Sequence, residues 1–70
     1  MSIQRYGHYI IEGFGKPVGG GKFAALGRVR LGDFTVEESD ELGHFEQFAD
    51  AQSRGLSWAQ RRADEMSAGH

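Results

Sequence analysis

Apolar and polar positions alternate from Lys22 to Leu31, with Phe23, Ala25, Gly27, Val29 and Leu31 on one side and Ala24, Leu26, Arg28 and Arg30 on the other. A period of two belongs to a half-buried strand, so the run predicts one over Lys22–Leu31. Upstream, residues 6–14 read Tyr-Gly-His-Tyr-Ile-Ile-Glu-Gly-Phe. Aromatic and β-branched side chains bounded by glycine predict a strand there too. Between the two runs, residues 15–21 combine Pro17, whose φ is fixed, with three consecutive glycines that accept positive φ. That segment predicts a hairpin loop.

Beyond Leu31 the pattern weakens. Gly32-Asp33 interrupts the strand, Phe34-Thr35-Val36 prolongs the extended chain, and the acids between Glu37 and Glu41 predict a solvated, mobile turn. Residues 42–47 form a short third strand, in which Leu42 and Phe45 cannot share a face without a bulge. From Phe48 to about Met66 the period lengthens to that of a helix. Phe48, Ala51, Gly55, Leu56, Trp58, Ala59, Ala63 and Met66 fall on one broad side, and Asp50, Ser53, Arg54, Ser57, Gln60, Arg61, Asp64 and Glu65 on the other. Gly69 supplies a stop. The expected fold is α+β: a small three-stranded antiparallel sheet with one C-terminal helix packed on one face, β-β-β-α, as a single domain over residues 1–70.

The sheet has a second face. One helix covers one side only, yet Tyr9 and Ile11 point one way while Ile10 and Phe14 point the other, where Leu26, Arg28 and Arg30 join them. An outer face left to water is normally polar; this one is expected to be a contact surface formed by Ile10, Phe14, Leu26, Arg28 and Arg30. Trp58, at the border of the helix's apolar arc, is an anchor for a partner or the edge of the core. A homodimer follows as the expected assembly, with a further protein partner open. The counter-reading folds the 32–43 segment, with Phe34 and Val36, over that face.

Composition narrows the function. Seventy residues provide one core, and a chain this short buries little enough surface that a disulfide, metal or partner often completes its stability. Cysteine is absent, which excludes disulfides and thiolate chemistry and fits a cytoplasmic location. The opening Met-Ser-Ile-Gln-Arg-Tyr lacks the apolar core of a signal peptide, and no run approaches the length of a membrane span. The net charge of −2 conceals a segregation. Up to Gly32 the chain carries Arg5, Lys16, Lys22, Arg28 and Arg30 against Glu12, whereas Asp33 to Asp50 is acidic without a single Lys or Arg. Such asymmetry attracts partners, a second copy among them.

No motif carries catalysis or a cofactor. The glycines between 13 and 19 precede a strand rather than the helix a dinucleotide site requires, and Phe23 stands where a phosphate loop needs Ser or Thr. His8 and His44, with Glu46 or Glu12, lack metal-ligand spacing. The serines have no flanking nucleophile motif. No cofactor, no metal and no enzymatic activity are expected. Arg28 and Arg30, with Lys16 and Lys22 in the loop, offer a basic ribbon for nucleic acid, against which the net acidity weighs.

Tyr6-Gly7-His8-Tyr9 with Ile11, then Gly43-His44-Phe45, then Ala51, Gly55, Trp58 and Ala59 together resemble small bacterial β-β-β-α proteins of uncharacterised function. That resemblance spans most of the chain through packing residues and implies the fold without an activity. Ala49-Asp50-Ala51 is similar in part to the helix opening of small antitoxin-type domains, which also run β-β-β-α. The expected function is a non-catalytic protein-interaction or regulatory module; the alternative is a nucleic-acid-binding or antitoxin-like domain using the basic hairpin face.

Overall fold

The computed structural model describes residues 2–68, with the side chains of 3–67. Its elements run β1 (Ser2–Tyr6), β2 (Tyr9–Val18), β3 (Lys22–Leu31), β4 (Phe34–Glu38), β5 (His44–Phe45) and α1 (Phe48–Ala68). The sheet is an antiparallel meander β1-β2-β3-β4, with β5 also paired to β3. The α+β class, the antiparallel sheet and the C-terminal helix agree with the sequence; the strand count does not. The glycine stop expected at Gly69 lies outside the described residues.

The single strand expected over 6–14 instead contains a hairpin turn, between the end of β1 and the start of β2. Tyr6 pairs with Tyr9 across a two-residue loop, and Gly7 takes φ 61° there. Glycine first in a two-residue loop suits the twist of the flanking strands. Gly32 repeats the device with φ 61° between Leu31 and Phe34, so Phe34–Glu38 turns back along β3 as a strand. The expected 15–21 loop shrinks to Gly19–Gly21, because β2 continues through Pro17 to Val18. Proline is tolerated because among the described residues β1 pairs no further along β2 than Gly13, which leaves Pro17 at a sheet edge on that side.

The acidic segment is not a free turn. A bulge leaves Val36 without a partner between the pairs Val29–Glu37 and Arg30–Thr35. Next, Ser39 N–H donates to Gly27 O at 2.9 Å, Gly27 N–H to Ser39 Oγ at 2.8 Å, and Leu42 N–H to Ala25 O at 2.9 Å. Bases also lie nearby: Glu37 is 2.6 Å from Arg62 Nε, and Glu38 is 3.9 Å from Arg28. Backbone bonding to β3 therefore holds the segment at the sheet's edge. It does not fold over the outer face, and Phe34 is 72 % exposed.

Small residues set the helix–sheet contact. Ala51, Gly55, Ala59 and Ala63, four apart on α1, are all buried. They face Gly13, Gly15, Ala25 and Gly27 of β2 and β3, and a Cβ on Gly13 would lie 2.5 Å from the Leu56 amide nitrogen. Backbone thus meets backbone, and among the described residues the largest fully buried side chains are Ile11 and Val29. Tyr6, Tyr9, Leu56, Trp58 and Met66 pack around them, and Phe23 meets Phe48 edge-on at the other end of the helix.

Candidate functional site: the outer face of the sheet

Odd-numbered residues of β2 and β3 face the helix, so the even-numbered ones face away. The register places Ile10 beside Arg30, Glu12 beside Arg28 and Phe14 beside Leu26. Five of the six residues expected to form the contact surface are therefore neighbours. Trp58 is not among them: its ring lies over Gly27 on the helix side, packed against the core. The helix places it there because position 58 adjoins the buried stripe of Gly55 and Ala59.

At the centre lies Glu12, 3 % exposed and unrecognised as a surface residue in the sequence. Its Oε1 is 2.8 Å from Arg30 Nε and 3.6 Å from Arg28 NH1. Neither approach is aligned as a hydrogen bond, so this buried oxygen has charge compensation without a directed donor. Arg28 also lies over the Phe14 ring, 4.5 Å from its centroid. The Arg28 side chain thus covers part of the Phe14 ring, and Ile10, Phe14 and Leu26 are all half-buried. With Glu12 and Glu38 beside them, Arg28 and Arg30 form an ion-pair cluster rather than a row of uncompensated cations. Ile3 and Arg5 extend the face across β1, opposite Glu12 and Ile10.

A second polar feature lies where α1 crosses the β1 edge. Tyr6, Ser57, Gln60, Arg61 and Asp64 line a shallow depression of about 360 Å³. The Tyr6 hydroxyl donates to Asp64 Oδ1, tying the edge strand to the helix. The hydrogen bond to Asp64 raises the Tyr6 pKa, with burial and the carboxylate's charge acting the same way. A raised folded pKa means that the bond's contribution to stability is present below the unfolded value of 10.0 and is lost as pH rises through the folded one. The Tyr6 ring resonances should titrate above that value, and Asp64→Ala should move the midpoint back towards it. An unchanged midpoint in the variant would show that the bond is absent in solution.

His8 lies in the β1–β2 turn and His44 in β5, at opposite ends of the sheet. Instead of meeting His8, His44 is 3.0 Å from Glu41. Among the described residues no three His, Asp or Glu side chains gather as a metal site, and no helix is long and apolar enough to cross a membrane.

The fold and the face define an α+β domain with a meander sheet, covered by one helix on one side and bearing a mixed apolar and ionic surface on the other. No protein-family model, curated protein or solved structure matches the chain.

Proposed function

We propose that the protein is a non-catalytic interaction module whose working surface is the outer face of the sheet and whose partner is a second copy of the chain. The observation that carries this reading is the set of Ile10, Phe14 and Leu26 around the buried Glu12 and its half-buried partners Arg28 and Arg30, on the face that the helix leaves uncovered. The thin core supports it: alanines and glycines fill the helix contact, and the exposed Ile3 adds to the half-buried Ile10, Phe14 and Leu26 on the uncovered face. The nucleic-acid reading draws on the same arginines, and their pairing with Glu12 and Glu38 weighs against it. A regulatory role in a cytoplasmic setting belongs to the same proposal.

The test is Ile10→Glu, which places a charge on the apolar part of the face and touches nothing under the helix. The variant is expected to halve the mass in solution while its helical circular dichroism stays at the wild-type level. A dimer that survives this change does not use the outer face.

A further inference from the structure

The two edges of the sheet are built differently. β4 is interrupted by the bulge at Val36, a device that discourages outward pairing. β1 has neither bulge nor proline over Ser2–Tyr6. Tyr6 and Tyr9 flank a two-residue loop and so form a hydrogen-bonded pair; by alternation Gln4 and Ser2 also bond to β2, while the N–H and C=O groups of Ile3 and Arg5 point away from it. Among the described residues nothing pairs these outward groups. The side chains beside them carry unused charge. Paired residues share a face, so Gln4 and Tyr6 lie on the helix side with Ile11 and Tyr9, and Arg5 on the outer side with Ile10. On the helix side the edge opens onto the depression of Tyr6, Ser57, Gln60, Arg61 and Asp64. There Asp64 is engaged by Tyr6, and Glu65, one turn beyond Arg61, lies 3.2 Å from Arg62 instead. Arg61 and Arg5, both exposed, thus have no carboxylate partner among the described residues.

We propose that β1 accepts an extended acidic peptide as a further strand, with two consecutive carboxylates, one entering the depression to meet Arg61 and the next meeting Arg5 on the opposite face. Successive side chains of a strand point to opposite faces, and the two unpaired cations stand on opposite sides of this edge, so adjacent acids fit where alternate ones do not. Backbone bonds to Ile3 and Arg5 supply affinity, and the two cations supply the choice of sequence. The edge is separate from the apolar outer face, and the proposal holds whether or not the chain self-associates.

The probe is a short threonine-rich peptide with two adjacent glutamates, compared with the same peptide carrying two glutamines and followed through the amide signals of the isotopically labelled chain. The glutamate peptide should shift the amides of Ile3 and Arg5 and slow their exchange with solvent. The glutamine peptide should bind about tenfold more weakly, as the loss of hydrogen bonds to charged groups implies. Arg61→Gln, at an exposed position, should remove most of that difference. Ile3→Pro deletes an outward N–H and leaves the bonds to β2 in place, so it should abolish binding. If that variant does not fold, exchange at the Arg5 amide of the wild type still decides. Equal binding of the two peptides, no shift up to about 1 mM peptide, or shifts along β4 in place of β1 would overturn the proposal. So would a mass that Ile3→Pro lowers in the absence of peptide, since a second copy would then be the strand that occupies the edge.

Discussion

Replacing Gly55 by valine is expected to unfold the domain, and alanine at the same position to lower its stability despite being the better helix former. A Cβ there would press on the Leu26 carbonyl, 2.7 Å from its carbon and closer still to its oxygen, and Gly13 lies behind. On an exposed helix face Gly→Ala would gain about 1 kcal/mol. Here the sheet backbone cannot withdraw without parting Gly13 and Gly27 from the helix, so overpacking of about 1–3 kcal/mol governs for alanine, and more for valine. A chain of this length has about 3.5–10 kcal/mol of stability in all. Thermal unfolding of Gly55→Ala should therefore occur below the wild type. A midpoint at or above it would mean that the helix stands farther from the sheet than described.

Ile11→Ala comes next in size. Among the described residues Ile11 and Val29 are the large side chains wholly enclosed between sheet and helix, and the alanines packed with them, Ala59 and Ala63, have no side-chain length with which to fill a void. The loss should lie within the usual range for such a truncation, about 2–5 kcal/mol. At about 4–8 °C per kcal/mol for a domain of this size, a fall of about 8 °C or more is expected. Ile10→Ala, one residue away on the other face, should cost the monomer far less. Equal losses at the two positions would contradict the assignment of faces.

Those contrasting neighbours show what the sequence discloses. Alternation over Lys22–Leu31 defines β3 with the structure's own limits, and the change to a helical period at Phe48 marks the start of α1. Opposed faces at Ile10 and Ile11 follow from the same two-residue period. Tyr-Gly-His-Tyr misleads because its residues suit one strand as well as a hairpin; only the pairing of Tyr6 with Tyr9 decides, through contacts that local composition does not encode. The acidic stretch misleads for a related reason. Arg62 and Arg28, distant in sequence, supply the opposing charges, and β3 supplies the hydrogen bonds.

The helix contact was legible only in part. Ala51, Gly55, Ala59 and Ala63 mark the buried side, but nothing local says that the residues they meet are also glycines, so Leu56 reads as buried when it is a half-buried flank. Glu12 was hidden differently. A glutamate in a strand is ordinarily a solvated residue, and its enclosure depends on arginines that arrive from β3 through the register. The basic first half and acidic middle are real in sequence. Folding interleaves them on the sheet.

Self-association through the outer face is decided most directly by the mass of the wild-type chain in solution at about 100 μM, well above the dissociation constant of a useful homodimer. Light scattering should give twice the 7.7 kDa of the single chain, and dilution should bring it down towards one. A mass of one chain at that concentration would contradict the account and leave the face of Ile10, Phe14 and Leu26 to another role.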